Sequence, residues 1–196
     1  MIIAVVLSAG ESSRMGRPKA LLPIDGQTFV EKIVAALKQT RVGKVIVVLG
    51  HDAAELRRQI EHLPDEVLVN PDYKLGQLSS LQVALRRLQS DPDCDGMLVH
   101  LVDHPYIVPA LVDEMIELFY RSKKLIVVPQ CRGKRGHPVI FSRELFAELL
   151  AAPLSEGAKT VVHAHRDDTL EVETDQAGIL VDIDTPDLYR QHVKGE

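Results

Sequence analysis

Met1-Ile-Ile-Ala-Val-Val-Leu-Ser-Ala-Gly10, continued by Glu11-Ser-Ser-Arg-Met-Gly-Arg-Pro-Lys-Ala-Leu-Leu-Pro23, is the stretch on which the fold turns. Its first part, Ile2–Leu7, is an unbroken apolar run without polar alternation, the pattern of a parallel strand covered on both faces. Its second part sets roughly 20 residues between that strand and the first amphipathic helix, far beyond the usual 2–6-residue βα loop. Further apolar runs follow at Lys44–Leu49, Val67–Val69, Met97–Val102 and Leu125–Val128. Between them, Val30, Ile33, Val34 and Leu37 share one helical face, Ala53, Leu56 and Ile60 a second, and Leu111, Val112, Met115, Leu118 and Phe119 a third. Pro109 stands where a helix tolerates a missing N–H, at its first position.

Strand and helix alternate, which predicts an α/β fold: a single-domain, Rossmann-like, doubly wound and mostly parallel sheet with right-handed crossovers. After about residue 130 the pattern loosens, with short strands expected at Pro138–Phe141, Thr169–Glu173 and Gly178–Ile183 and helices near Arg143–Leu150 and Ala158–His165. No linker, repeat or low-complexity tract divides the chain, so residues 1–196 read as one domain. In such sheets ligands sit beyond the carboxyl ends of the strands, at the point where the strand order reverses.

Composition narrows the function. With 23 basic and 28 acidic residues, a net charge of −5 and pI near 5.9, the chain lacks the basic stripe of a nucleic-acid clamp. The apolar N-terminus is too short to span a bilayer and has no basic flank, so a cytoplasmic protein without membrane contact is expected. Cys94 and Cys131 form no CxxC, which suits a reducing compartment.

The loop after the first strand carries the chemistry. Ser8, Ala9, Gly10, Ser12, Ser13 and Gly16 let backbone N–H groups approach an anion closely, and Arg14, Arg17 and Lys19 add three cations within six positions. Together they make a phosphate cradle. It is not a Walker A loop, because Gly16 is followed by Arg17-Pro18, and it lacks the GxGxxG of a dinucleotide fingerprint. No HExxH suggests zinc, His163 and His165 lie two apart on an expected helix, and no GxSxG forms a nucleophile elbow.

Five motifs in order resemble the MobA-like nucleotidyltransferases, in particular their molybdenum cofactor cytidylyltransferase branch. Leu7-Ser-Ala-Gly-Glu-Ser-Ser-Arg-Met-Gly-Arg-Pro-Lys-Ala-Leu-Leu-Pro23 is similar to LAAGxSxRMGxPKxLLP, and Asn70–Leu81 to NPxxxxGMSSSL. Leu101-Val-Asp-His-Pro105 is similar to LxDQP, Gly133–Phe141 to GxRGHPVLF, and Val181-Asp-Ile-Asp-Thr-Pro186 to the DIDTP motif. The resemblance implies a fold like the nucleotide-diphospho-sugar transferases. It also implies transfer of CMP from CTP to the phosphate of a molybdopterin-type cofactor with release of pyrophosphate, assisted by Mg²⁺. A molybdoenzyme is then a candidate partner.

The implied roles fall residue by residue. Arg14 and Lys19 are catalytic candidates, and Leu7, Ser8, Ala9, Gly10, Lys19, Gly76, Ser79 and Ser80 candidate nucleotide contacts. Asp103 and Asp184 are candidate metal ligands, in keeping with a hard ion held by one or two carboxylates plus phosphate oxygens; Asp182 rivals Asp184. His104, Arg135, Gly136 and His137 are candidate acceptor contacts. Each has a structural alternative: Asp103 and Asp184 as caps, Ser79 or Ser80 as the N-cap of the helix that follows Gly76, His137 as a turn residue. An acceptor phosphate is largely dianionic at neutral pH and needs no general base, in keeping with the lack of an obvious one.

Ala9-Gly10 and Pro18-Lys19 match the cytidylyl branch, whereas the guanylyl branch has Gly-Gly and Asp-Lys. Three positions depart from the pattern: Ser8 for Ala, His104 for Gln, and Gln77-Leu78 for Met-Ser. His104 adjoins the expected metal ligand, so its change bears on the acceptor more than on the reaction class. The alternatives are a nucleotidyltransferase using GTP or a sugar, polyol or isoprenoid phosphate, and a non-catalytic carrier of the molybdenum cofactor.

Overall fold

A computed structural model describes residues 1–194 of the chain; Gly195 and Glu196, the end of the expected domain, lie outside the described residues. Strands β1 (Ile2–Ser8), β2 (Pro23–Ile24), β3 (Gln27–Thr28), β4 (Lys44–Leu49), β5 (Glu66–Val69) and β6 (Gly96–Leu101) belong to the first half of the chain. β7 (Ile126–Cys131), β8 (Lys134–Arg135), β9 (Val139–Ser142) and β10 (Thr169–Glu173) follow. The helices are α1 (Phe29–Leu37), α2 (Ala53–Ile60), α3 (Gln77–Leu88), α4 (Pro109–Ser122), α5 (Phe146–Ala151), α6 (Lys159–Ala164) and α7 (Pro186–Tyr189).

The main sheet runs β10-β7-β9-β6-β1-β4-β5, with β8 hairpinned onto β7. β1 pairs in parallel with both β4 and β6, with Leu7 opposite Val48 on one side and Leu101 on the other. The chain first winds from β1 out to β5, then returns to place β6 on the opposite flank. The strand order therefore reverses at β1 and β6, whose carboxyl ends are Ser8 and Leu101. β9 is the antiparallel member, wedged between β6 and β7.

The unbroken apolar run of β1 is explained by two layers. Ile2, Ala4 and Val6 pack with α1 (Phe29, Val30, Ile33, Val34, Leu37) and α4 (Val112, Met115, Ile116, Phe119). Ile3, Val5 and Leu7 pack on the other side with α3 (Leu81, Ala84, Leu85, Leu88) and with Phe146 and Leu149. Successive residues face opposite ways, so neither parity can be polar. α1 begins with a capping box in which the Glu31 backbone N–H donates to Thr28 Oγ1 (3.4 Å) and the Thr28 backbone N–H to Glu31 Oε2 (2.6 Å); such a cap is worth about 1 kcal/mol. Among the described residues, no helix is long and apolar enough to cross a membrane.

Two sequence expectations need correction. Gly178–Ile183 is not a strand: Ala177–Leu180 forms a 3₁₀ turn and the following residues stay outside the sheet. The backbone of this segment is bonded to loops instead, the Ile183 N–H donating to the Asp103 carbonyl (2.9 Å) and the His137 N–H to the Ile179 carbonyl (3.1 Å). Its apolar residues Ile179 and Ile183 are buried plugs beneath those loops. Nor do Ser79 and Ser80 cap α3: the cap position is Gly76, at φ +98°, and both serines lie within the helix. The conformation at Gly76 is one that a serine seldom adopts.

Candidate active site

The loop after β1 folds back on itself. Ser12 takes a left-handed conformation (φ 52°), as does Gly16 (φ 69°), and the Ser12 hydroxyl accepts a hydrogen bond from the Lys19 backbone N–H at 3.1 Å. Short 3₁₀ turns at Ser13–Met15 and Lys19–Leu21 then turn Arg14 and Lys19 toward the carboxyl ends of β1 and β6. Ala9 is held close to the neighbouring strand, where its carbonyl accepts from the His51 N–H (3.1 Å). A Cβ on Gly50 would lie 2.6 Å from that same carbonyl oxygen, so the approach requires glycine there.

Two carboxylates meet these cations. Lys19 Nζ donates to Asp103 Oδ2 at 2.9 Å and also to Asp184, whose second oxygen is bonded by Arg14. Asp103 stands two residues past β6, and Asp184 is brought in by the 177–184 segment. The Lys19 side chain is 13% exposed and the two carboxylates 22% and 23%, so solvent screens them only partly. Burial alone would lower the Lys19 ammonium, but Asp103 and Asp184 outweigh it and hold its pKa above the ordinary lysine value. Burial would likewise raise the Asp184 carboxyl, but Lys19 and then Arg14 overcome it and hold it low.

These groups border a cavity of about 400 Å³. Leu7, Ser8, Ala9, Gly10, Arg14, Lys19, Asp103 and Asp184, all expected from sequence, line it together with Gly76 and Ser80. Ser79 does not. Its hydroxyl donates to the Gly76 carbonyl (2.7 Å) and accepts from Asn70 Nδ2 (2.8 Å), which also donates to Ser80 Oγ at 2.9 Å. Asn70 is 2% exposed, and its Oδ1 accepts from the Asp72 N–H (3.0 Å). One amide thus fixes both the turn before α3 and its first helical turn. Tyr73 and Gln77 complete that wall; both stand within the Asn70–Leu81 motif, but their role had no signal beyond that position.

A second cavity of about 460 Å³ shares Leu7, Gln77 and Leu101 with the first. Val99, Val139 and Phe141 from β6 and β9 and Leu78 and Leu81 from α3 give it an apolar floor, with Gln77, His137, Ser155, Glu156 and Lys159 as polar members. Its rim, Leu154–Lys159, was not marked by sequence reasoning, since a short Pro-Leu-Ser-Glu-Gly turn has no distinctive chemistry.

Of the four expected acceptor contacts, only His137 reaches a cavity. Arg135 is turned away, its guanidinium paired with Glu171 on β10 (2.6 Å), and Gly136 packs where a Cβ would overlap the Ile179 carbonyl. His104 is buried behind Asp103, lining neither cavity, with its Nε2 4.0 Å from Asp103 Oδ1. Its ring belongs to a cluster with His137 (centroids 4.8 Å apart) and His100 (6.4 Å). Burial, then the neighbouring imidazole, pushes His100 down to about 3 and His137 down to about 4, so both are neutral near pH 7. Sequence inspection did not single out His100, which sits inside an apolar strand.

Two donor sets could hold a divalent ion. Asp103 and Asp184 face the first cavity, whereas Asp103, His104 and Asp182 each offer a ligand atom within 4.8 Å of the others. Asp103 Oδ1 is buried and has no hydrogen-bond partner, so the residues fit a metal: one carboxylate oxygen is turned to a position that neither Lys19 nor the backbone satisfies. Burial and then the nearby Asp103 and Asp184 raise the Asp182 carboxyl.

The profile of the MobA-like NTP transferase domain matches residues 4–169. A molybdenum cofactor cytidylyltransferase of Escherichia coli (strain K12) is 26% identical over 189 residues, covering 96% of this chain and 93% of that protein. A probable molybdenum cofactor guanylyltransferase of Pyrococcus horikoshii is 28% identical over 80% of this chain and 77% of its own. The crystal structure of Rv0371c from Mycobacterium tuberculosis H37Rv, in complex with manganese, superposes with a TM-score of 0.83 at 30% identity, covering 100% of this chain and 99% of that one. The loop of small and basic residues after β1, the reversal of strand order beside it and the match across most of the sequence agree with what the motifs implied: the chain belongs to the MobA-like NTP transferase family, a family of nucleotidyltransferases.

Proposed function

We propose that the chain, acting as a single domain over residues 1–196, transfers CMP from CTP to the phosphate of a molybdopterin-type acceptor and releases pyrophosphate. The observation that carries this reading is the meeting of Arg14, Lys19, Asp103 and Asp184 at the mouth of the 400 Å³ cavity where the strand order reverses. That volume falls within the range of about 300–1,000 Å³ usual for small-molecule sites. The E. coli relative's name, and Ala9-Gly10 with Pro18-Lys19, support cytidine.

In this reading the backbone N–H groups of Ser8–Gly10 and the Arg14 and Lys19 side chains receive the triphosphate, with the base between the loop and the Tyr73–Ser80 wall. The acceptor phosphate attacks the α-phosphorus in line. One P–O bond forms to it as the bridging bond to the β-phosphate breaks, and the electron pair leaves with pyrophosphate. No side chain has to remove a proton. The barrier lies in juxtaposing polyanions and stabilising the leaving group, so Lys19 acts by position and charge. Mg²⁺ held by Asp103 and Asp184 would offset charge on the triphosphate and pyrophosphate. The acceptor occupies the second cavity, where the Val99, Val139 and Phe141 floor suits a flat heteroaromatic ring.

The P. horikoshii relative favours a second reading, with GTP as donor. A thermal-shift panel of CTP, GTP, ATP and UTP, each with and without Mg²⁺, separates them. A ligand at 100 times its Kd adds about 2.7 kcal/mol, several degrees for a chain of this size. A metal-dependent rise with CTP alone, followed by pyrophosphate release on adding molybdopterin, is expected; a rise with GTP alone moves the donor, and release only with a sugar phosphate removes the acceptor.

A further inference from the structure

We infer that Asp103, His104 and Asp182 form a divalent-cation seat of their own, distinct from the Asp103–Asp184 pair, whose imidazole favours first-row transition ions over Mg²⁺, with Mn²⁺ as the probe that reads it. It rests on the proposed function only in sharing Asp103. Four observations converge on it. Asp184 has both carboxylate oxygens engaged, one by Lys19 and the other by Arg14. Asp103 gives Lys19 only Oδ2, leaving Oδ1 buried without a hydrogen-bond partner. His104 is 9% exposed, and its Nε2 lies 4.0 Å from that same Asp103 Oδ1. Asp182 supplies a third ligand atom, all three lying within 4.8 Å of one another.

Two ligands of one ion, each about 2.1 Å from it, stand no more than about 4.2 Å apart. The 4.0 Å between Asp103 Oδ1 and His104 Nε2 meets that limit as it stands, and Asp182, exposed and outside helix and strand, brings its ligand atom within 4.8 Å of both. The seat is held by the hydrogen bond from the Ile183 N–H to the Asp103 carbonyl (2.9 Å), which fixes the residue beside Asp182 against the residue beside His104. The chemistry of the donors sets the preference. Mg²⁺ favours an all-oxygen octahedron and sheds water reluctantly, whereas an imidazole is a favourable ligand for first-row transition ions. A glutamine at position 104 would offer an amide oxygen instead, so the histidine found here changes which ion the seat prefers.

The test uses chelator-stripped, full-length protein with Mn²⁺ alone, without nucleotide or acceptor, so it does not depend on which reaction the enzyme performs. Free Mn²⁺ is followed by its EPR signal, and pulsed EPR of the bound ion reads ¹⁴N coupling. Imidazole coupling is expected in the wild type and lost in His104→Gln. Losing even outer partners of a metal site costs about 10–100-fold in affinity, so Mn²⁺ binding should fall at least about tenfold in His104→Gln and Asp182→Asn. Competition by Mg²⁺ should weaken far less. Asp184→Asn should keep the ¹⁴N signal. Circular dichroism checks that each variant folds, and the wild-type spectrum stands whatever the variants do. The inference is overturned by a wild-type ion without ¹⁴N coupling, by coupling that persists in folded His104→Gln, or by Mn²⁺ binding that needs Asp184 and not Asp182. None of these overturning results touches nucleotidyl transfer, which the thermal-shift panel judges separately.

Discussion

Replacing Lys19 by Met keeps the length of the side chain and removes its charge. In the folded protein that charge lies between Asp103 and Asp184, 2.9 Å from the former, with only 13% of the side chain exposed. Removing one member of a buried ion pair costs about 3–5 kcal/mol. Here the carboxylates keep about a fifth of their exposure and Arg14 still faces Asp184, so about 2–3 kcal/mol is the appropriate scale. That corresponds to a fall in Tm of roughly 4–12 °C for a domain of this size. The effect on reaction is separate and larger. Loss of one preorganised charge aimed at the transferring phosphoryl group costs about 2.7–4 kcal/mol, or roughly 10²–10³ in kcat. Pyrophosphate release under saturating nucleotide and metal, at a temperature where circular dichroism shows the variant folded, measures it. A folded Lys19→Met enzyme within about threefold of the wild-type rate would refute the reasoning, leaving Lys19 as an anchor of the two carboxylates and nothing more. Should the Met variant fail to fold, Lys19→Arg keeps the charge and tests position alone, with an intermediate loss expected.

Asn70→Ala removes three hydrogen bonds around a buried amide, so urea unfolding should report a loss of about 2–3 kcal/mol, with weaker nucleotide binding because the Gly76 turn loses its tie to α3. Gly136→Ala drives a Cβ into the Ile179 carbonyl and so should displace the 177–184 segment; Tm and Mn²⁺ affinity should fall together, and a fall in only one would break the link between this turn and the metal ligands. The Lys19–Asp184 pair also predicts a pH profile. The Asp184 carboxyl is held low, so its contribution is full above the unfolded carboxylate pKa and lost as pH drops through the lower folded value; the Lys19 ammonium is held high, so its contribution is full below the unfolded lysine pKa and lost as pH climbs through the raised value. The stability difference between wild type and Lys19→Met, from denaturant titrations, should therefore be greatest at neutral pH and shrink at both ends. His137, pushed down to about 4 by burial, takes up a proton near 6.5 only when unfolded; stability should be lost as pH falls from about 6.5 to about 4, and His137→Gln should flatten that slope.

The parallel strands were legible because burial on both faces leaves little room for polar residues, so β1 and β4 read as apolar runs and β6 as one interrupted only by His100. The cavity wall made by the first loop was legible for a different reason: small residues and cations crowd behind a strand end, and of the three cations Arg14 and Lys19 line the cavity while Arg17 does not. Misreadings came where a partner distant in sequence decides the outcome. Gly178–Ile183 has the apolar content of a strand, but its backbone is claimed by the loops at Asp103 and His137. Arg135 sits in a motif with His137 and still points elsewhere, because Glu171 on the edge strand captures it. Ser79 and Ser80 look like caps until Gly76, at a positive φ, takes the cap position and Asn70 binds both hydroxyls. The second cavity could not be read at all, since it is built by packing Leu154–Lys159 over residues already assigned to the core.

The bonds from Arg14 and Lys19 to Asp184 join residues 170 and 165 positions apart. Strands β1, β4, β5 and β6 lie within the first 101 residues, whereas both apolar layers against them also draw on α4 and on Phe146 and Leu149 from later in the chain. Only when the 177–184 segment docks, against an entropy of closure that grows slowly with loop length, do the cations of the first loop gain their second carboxylate. Completion of this cluster thereby depends on the 177–184 segment. A chain cleaved before Asp184 would keep the Lys19–Asp103 pair but leave Arg14 without its carboxylate partner.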